Sequence, residues 1–223
     1  MYADPKPDND MTLNTPLTFR ELKEAITVLG NKKTSVGMDG VSYIMLNHLP
    51  EKWLLLLHKL IVQCWTSGSI PKIWKRSIVV PLLKQGQPRT VAQSYRPITL
   101  TSHVCKVMEK IVLNRLLYFC EKNNIIPLNQ AGFRKGRSTI DHLVKLTTQI
   151  KCQFAKRKSV LATFFDVRKV YDRVWHSRLL KLKNIGLSGH IYDYFKSFLK
   201  ERKITARVRN TYSSFKHLEL GIP

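Results

Sequence analysis

The sequence predicts an α+β fold, and three observations carry that prediction. Long stretches repeat apolar residues at helical spacing, as from Ser102 to Asn123. Shorter β-rich runs stand between them, as at 74–84. One run, 160–165, is apolar throughout except for Thr163. With 223 residues, 43% of them hydrophobic, the chain is long enough for one large domain or two small ones with real cores.

Residues 1–17 read as a flexible lead whose acidic, proline-bearing start, M-Y-A-D-P-K-P-D-N-D, is unlike a signal peptide. Thr18 then opens T-F-R-E-L-K-E-A-I-T-V-L, a helix with Thr18 as N-cap and Glu21 three residues on, the capping-box arrangement. Gly37, Asp39 and Gly40 make T-S-V-G-M-D-G a turn-rich loop. From Glu51 to Trp65 the apolar positions Trp53, Leu56, Leu57, Leu60, Ile61 and Cys64 predict a helix with one buried face, ended by Gly68 and Pro71. W-K-R-S-I-V-V-P-L-L-K at 74–84 predicts a strand, and Q-G-Q-P-R after it a turn. Helices are expected over 102–123 and 140–154, the first with Val104, Val107, Met108, Ile111, Val112, Arg115, Leu116 and Phe119 in register. Residues 160–165 predict a central strand buried on both faces. Two more helices are expected at 172–184 and 189–202, and the alternating tail 204–220 predicts a hairpin around Asn210. There is no internal repeat and no low-complexity tract.

Charge narrows the partners. The chain holds 38 Lys and Arg against 15 Asp and Glu, a net charge of +23. The first 50 residues carry 5 basic and 6 acidic side chains, so all of the excess lies in residues 51–223, with 33 and 9. That distribution, with a pI near 10.1, points to a polyanion and to nucleic acid before any other partner. Cys64, Cys105, Cys120 and Cys152 are scattered without a C-x-x-C pair, which argues against a zinc knuckle. Free thiols indicate a reducing compartment and hence an intracellular location, nucleus or cytoplasm. The greasiest stretch, 53–65, is interrupted by His58 and Lys59 and is too short to span a bilayer, so no membrane partner is expected.

Three segments carry chemistry. In S-Y-R-P-I-T-L-T-S at 94–102, Arg96 precedes a proline, which holds its backbone extended. Its guanidinium fork suits a phosphate, or else an ordinary surface ion pair. In Q-A-G-F-R-K-G-R-S-T at 130–139, Arg134, Lys135 and Arg137 sit between and beside two glycines, just ahead of a helix capped by Ser138 or Thr139. That is either a phosphate site at a helix N-terminus or a basic turn that caps a helix. In F-F-D-V-R-K-V-Y-D-R-V-W at 164–175, Asp166 emerges from the end of the apolar run. A carboxylate there needs a metal or an arginine for compensation. Asp172 reads as the N-cap of the following helix, R-V-W-H-S-R-L-L.

Taken in this order and spacing, the three segments resemble the reverse transcriptase of non-LTR (LINE-type, jockey-like) retrotransposons. Y-R-P-I-T-L-T-S and N-Q-A-G-F-R-K-G-R-S-T are similar to that family's two fingers motifs. F-F-D-V-R-K-V-Y-D-R-V-W is similar to the palm motif that supplies the first catalytic aspartate. N-K-K-T-S-V-G-M-D-G and I-P-K-I-W-K-R-S-I-V-V-P-L-L-K are similar to the lead-in, so the likeness runs from about residue 18 to the end.

The resemblance implies a right-hand polymerase: an N-terminal extension and fingers over 18–158 and a partial palm over 159–223. It implies an RNA template, a DNA primer and dNTP as partners, with Mg²⁺ as cofactor in the complete polymerase. Asp166 matches the catalytic, metal-binding aspartate, and Val167 the residue whose carbonyl joins the metal shell. Tyr171 matches the aromatic that excludes a 2′-hydroxyl. Arg96 and Arg134 match nucleotide contacts; Phe133, Lys135 and Arg137 match template-side ones. Two positions depart from the pattern. Arg168 stands where an acid is usual and would compete with metal for Asp166, and Val170 stands where alanine is usual.

L-E-L-G-I-P at 218–223 resembles the lead into the family's next motif, ahead of the hairpin with two adjacent aspartates. Asp193, Glu201 and Glu219 have no context to replace that pair, so the 223 residues alone are expected to be inactive and, with 160–165 lacking partners, aggregation-prone. A second reading is a non-catalytic nucleic-acid-binding protein derived from a retroelement.

Overall fold

The structure is a computed structural model describing residues 11–30, 32 and 34–222. The chain divides into two compact units. One runs to Phe119 and resumes at Val170; the other is Cys120–Lys169. This division by packing cuts across the expected boundary at residue 159.

The first unit holds the core, and its first departure from expectation is the lead. Residues 1–10 lie outside the described ones, but 11–17 are not a loose tail. α1 (Met11–Asn14) is helical, and Leu13 and Leu17 are buried. Their segment is fixed through its carbonyls: Trp65 Nε1 donates to Thr15 at 3.1 Å, Arg115 Nη1 to Thr15 at 2.6 Å, and His58 Nε2 to Leu17 at 2.7 Å. A short apolar strip with the Thr15, Pro16 and Leu17 carbonyls engaged is cheaper to order than a free polar tail.

α2 (Phe19–Gly30) starts on the predicted capping box. The Glu21 carboxylate accepts the Thr18 N–H at 2.8 Å, and Thr18 Oγ1 accepts the Glu21 N–H at 3.2 Å. Leu22, Ala25, Ile26 and Leu29 form its buried stripe at helical spacing. α3 (Tyr43–Asn47) is capped by the Ser42 hydroxyl. In the loop before it, a Cβ on Gly37 would stand 2.6 Å from the Thr101 carbonyl carbon, so only glycine lets these backbones approach.

α4 (Glu51–Ser67) ends, as predicted, at Gly68, which takes a left-handed φ of 59°. Its buried face is rotated from the predicted one. Ile61, Cys64 and Trp65 are inside, whereas Trp53, Leu56 and Leu60 are exposed. The demand of Trp65 for a carbonyl partner and the packing of α4 against α2 fix that rotation.

The strand expected at 74–84 begins with a 3-10 turn, Lys72–Lys75, and becomes β1 (Arg76–Leu83). β2 (Tyr95–Leu100) pairs antiparallel with it, with Arg96 opposite Leu82 and Pro97 opposite Pro81. α5 (His103–Lys122) buries Val104, Cys105, Val107, Met108, Ile111, Val112 and Phe119, close to the predicted register. α8 (His190–Leu199), after two helices taken up below, packs on α4 and buries Ile191, Tyr194 and Leu199.

β3 (Lys203–Val208) lies parallel to β1, with Arg76 opposite Lys203. Its pairing with β1 stops at Val79, two residues short of Pro81, which has no N–H to continue a ladder. The predicted hairpin around Asn210 is present. β4 (Thr211–Tyr212) and β5 (Lys216–His217) both return antiparallel along β3. Their registers differ by one residue, a β-bulge filled by Ser213, whose hydroxyl accepts the Ala206 N–H at 3.0 Å. The mixed sheet runs β2-β1-β3-β4, with β5 beside β3.

In the second unit, α6 (Thr139–Ala155) starts on Ser138, which forms a capping box with Asp141. No residue of α6 is buried. The central strand expected at 160–165 is corrected here: the segment has no regular structure, and no described residue pairs with it. Leu161 is 94% and Phe165 91% exposed. A strand buried on both faces needs a neighbour on each edge, and without neighbours the apolar run has no ladder to join.

The helix expected over 172–184 is also corrected. It is a 3-10 turn (Tyr171–Arg173), the short α7 (His176–Leu179) and a second 3-10 stretch (Leu180–Ile185). Asp172 lies in the first turn, and the residue ahead of α7 is Trp175 without a side-chain cap. The reason is competition for carbonyls. Ile222 N–H donates to Tyr171 at 3.0 Å and Gly221 N–H to Val174 at 2.8 Å, taking acceptors that a continuous helix would use.

Candidate nucleotide and nucleic-acid site

Arg96 is where the sequence placed it, extended and exposed on β2, the edge strand of the sheet. Pairing with β1 fixes its backbone, and the proline after it leaves no N–H for another strand to use. Its guanidinium has no hydrogen-bond or ion-pair partner among the described residues. That removes the reading of a side chain committed to an ordinary surface ion pair.

Tyr171 belongs to the same unit. It is half-exposed, and its carbonyl is held by the Ile222 N–H. Gly221, at φ 82°, packs so close that a Cβ would lie 2.9 Å from the carbonyl oxygens of Tyr171 and Asp172. His176 Nε2 donates to the Gly221 carbonyl at 2.6 Å. L-G-I at 220–222 is therefore seated on the Tyr171–His176 turn.

The basic turn belongs to the second unit. Arg134 is committed: Nε and Nη2 grip the two Glu121 oxygens at 2.8 and 2.5 Å, and Nη1 donates to the Pro127 carbonyl at 3.0 Å. The Arg134 bond holds the Glu121 carboxyl below the usual carboxylate range, and Glu121 raises the Arg134 guanidinium further. Phe133 takes a left-handed φ of 61° and presents its ring to solvent, 85% exposed. Lys135 and Arg137 flank Gly136, itself at φ 71°, and both are exposed. The fork of Arg134 thus braces the turn, while the ring and two cations beside it stay free.

Asp166 and Val167 are exposed in the irregular segment after α6. Its stretch 160–164 and the Leu146, Gln149, Ile150 and Gln153 side of α6 line a hollow of about 460 Å³. Among the described residues Asp166 forms no ion pair with Arg168, and no group of three or more His, Cys, Asp or Glu converges as a metal site. No described helix is long and apolar enough to cross a membrane. All four cysteines are free thiols.

The sequence reading missed two features of the first unit. A hollow of about 620 Å³ lies beside α2, β2 and α5, walled in part by Lys106, Lys110 and His103. There Tyr43 stacks on His103 at 3.9 Å; burial lowers the His103 imidazole and, with Glu109 adding, pushes the Tyr43 phenol up to about 12. The second is a cationic recess where W-K-R at 74–76 meets K-E-R-K at 200–203. Each run is visible as basic, but their meeting follows from the β1–β3 pairing, which no local pattern announces.

Comparison with known proteins agrees with the residues. The family described as reverse transcriptase (RNA-dependent DNA polymerase) matches residues 82–223. The chain is 35% identical to "Probable RNA-directed DNA polymerase from transposon BS" of Drosophila melanogaster, over 93% of this chain and 23% of that protein. It is 31% identical to "RNA-directed DNA polymerase from mobile element jockey" of Drosophila funebris, again over 93% and 23%. With "Probable RNA-directed DNA polymerase from transposon X-element" of Drosophila melanogaster it shares 30% over 94% and 23%. The chain thus spans about a quarter of the length of these relatives. Reverse transcriptases in general act on a nucleic-acid template and primer with dNTP and use a divalent metal. By the motif segments, their order and this match, the chain belongs to the reverse transcriptase family, as a domain homologous to the RNA-directed DNA polymerases of non-LTR retrotransposons.

Proposed function

We propose that the chain supplies the fingers and the first palm segment of an RNA-directed DNA polymerase that extends a DNA primer on an RNA template, inside the cell. The observation that carries this is the family match over 82–223, which contains Arg96, Arg134, Asp166 and Tyr171 in the family's order. Arg96, with a free planar fork on a rigid edge strand, binds a dNTP phosphate bidentately. Tyr171, half-exposed on a turn pinned by Gly221 and Ile222, stands under the sugar and excludes a 2′-hydroxyl by bulk. Arg134 reaches a phosphate only by exchanging the two Glu121 oxygens for it. Phe133 offers an open ring for a template-side base, and Lys135 and Arg137 offer charge to its backbone.

Asp166 and the Val167 carbonyl are the chain's contribution to a Mg²⁺ centre, the ion that stabilises charge during nucleotidyl transfer when bound. One exposed carboxylate does not make that centre, because Mg²⁺ keeps near-octahedral geometry and surrenders its waters reluctantly. The residues present do not fit the metal by themselves, and no metal-dependent step is assigned to them. The 223 residues alone therefore do not polymerise.

The test uses the purified chain with a primed RNA template. Photo-labelling by an azido-dATP is expected to fall several-fold in Arg96→Ala. Incorporation of labelled nucleotide is expected to match that of Asp166→Ala. Equal labelling of wild type and Arg96→Ala overturns the nucleotide assignment. Incorporation above the Asp166→Ala level overturns the inactivity of the isolated chain.

A further inference from the structure

Two concave sites in the first unit share one wall. The first, about 210 Å³, is lined by Lys72, Lys75, Arg76, Glu201, Lys203 and His217. The second, about 290 Å³, adds Lys196, Ser197 and Lys200, with Asp193 as its acid. Lys75 lines both. Counting it once and His217 as neutral, the walls bring six cations and two carboxylates together, a net +4. At ~30 Å³ for a water in the liquid, the smaller hollow has room for a hydrated phosphate group.

Lys75 is the unusual member. The residue is only 8% exposed, closes the 3-10 turn ahead of β1, and has no hydrogen-bond or ion-pair partner among the described residues. Its stem is packed away while its ammonium is not sealed from the two hollows it lines, as a long cationic side chain ordinarily sits. Burial lowers its pKa, Arg202 and Lys200 add to that, and Glu201 opposes it. Arg202, 1% exposed, is buried close by. Glu201 is engaged by Lys200 at 3.7 Å and takes a left-handed φ of 59°, so the turn that delivers 200–203 to the recess is strained. Surplus positive charge and a lysine whose packed stem aims its unpaired ammonium at both hollows coincide in one place.

We infer that this recess is a phosphate-binding site, with Lys75 as its buried anchor and Lys72, Arg76 and Lys203 as its rim, and that it holds a backbone phosphodiester of a nucleic-acid strand. The site stands apart from the polymerase assignment, since it uses none of Arg96, Arg134, Asp166 or Tyr171. An entering oxyanion supplies the countercharge that Lys75 lacks, and the rim adds screened attraction that falls with salt.

The test is anisotropy of a fluorescein-labelled 12-nucleotide RNA with the full chain, from 50 to 300 mM KCl. The variants are Lys75→Met, which keeps the length of the stem, and Lys72→Gln with Lys203→Gln, which leaves the buried anchor in place. Lys52→Gln with Lys59→Gln on α4 controls for bulk charge, being exposed and outside both hollows. Each lost contact is expected to flatten the log–log salt slope by about 0.7 and weaken binding about 5-fold at 0.1 M salt. The control pair is expected to leave the slope nearly unchanged. A second arm measures thermal stabilisation by inorganic phosphate, for wild type and Lys75→Met. Stabilisation of wild type alone, with RNA slopes unchanged in every variant, overturns the backbone assignment in favour of free phosphate. Equal losses in the control and rim pairs, with no phosphate response, overturn the site altogether.

Discussion

Replacing Arg115 with alanine tests what holds the start of the chain to the core. Its guanidinium donates from Nε to Glu21 Oε1 at 2.6 Å, from Nη2 to Glu21 Oε2 at 2.8 Å and to Pro16 at 3.0 Å, and from Nη1 to Thr15 at 2.6 Å. It also lies 5.8 Å from the Trp65 ring. Charged hydrogen bonds are worth ~1.5–3 kcal/mol each when lost, but the four do not simply add. The Glu21 side chain is 27% exposed and keeps its Thr18 bonds, so water and Thr18 recover part of the loss. About 2–4 kcal/mol remains, near the lower end of the cost of breaking a buried pair.

For a unit of this size that shifts Tm by about 5–15 °C, at ~2–4 °C per kcal/mol. Urea unfolding followed by tryptophan fluorescence measures it, since Trp65 bonds the same Thr15 carbonyl. Glu21→Gln in the same background is expected to show a coupling of ~1–3 kcal/mol. Acid adds a signature. Burial raises the Glu21 carboxyl, but Arg115 and Thr18 outweigh that and hold it below the usual range. A depressed folded pKa gives stability that is complete above the unfolded value of ~4.3 and fades as pH falls through the folded one. Wild type should therefore lose more stability than Arg115→Ala on acidification below that value. A loss under 0.5 kcal/mol for Arg115→Ala, or no coupling to Glu21, would refute the reasoning.

Two further outcomes follow from backbone geometry. Gly37→Ala places a Cβ 2.6 Å from one backbone atom and 2.7 Å from two others of Thr101 and Ser102, none of them a flexible side-chain end. The expected loss is ~1–3 kcal/mol, a fall of roughly 1 M in urea midpoint at ~1–3 kcal/mol per M; an unchanged midpoint would contradict it. Ser138→Ala removes the cap of α6 and should cost ~1 kcal/mol, seen as about 5-fold faster hydrogen exchange at its first amides. The midpoint of the unit built around Trp65 should not move.

What the sequence disclosed depended on how local the cause was. α2, α5 and α6 were legible because helical spacing, the Thr18–Glu21 capping box and a cap at Ser138 or Thr139 act within a few residues; that Ser138 shares its cap with Asp141 came from the fold. The rotation of α4 was not, since Trp65 is turned inward by a carbonyl fifty positions away. The break of the helix after Tyr171 was equally hidden, because Gly221 and Ile222 take its carbonyls from the far end of the chain. At 160–165 composition identified an apolar run but not its neighbours, and a strand is defined by its neighbours. The residue types of the proposed nucleotide site were legible from motif order. That Arg134 is engaged by Glu121 while Arg96 stands free required coordinates.

The parallel pairing of β1 with β3 bears on how such a chain is made. Arg76 and Lys203 are neighbours in the sheet although 127 positions separate them. At ~5–20 residues per second of synthesis, β1 waits about 6 to 25 s for its partner to leave the ribosome. Once β2 has followed, a β1–β2 ribbon has its β1 edge as well as its β2 edge open while the whole Cys120–Lys169 unit is extruded. Non-local closure of this kind is slow, so chaperone occupancy of the ribbon during translation should govern how much protein reaches the finished fold.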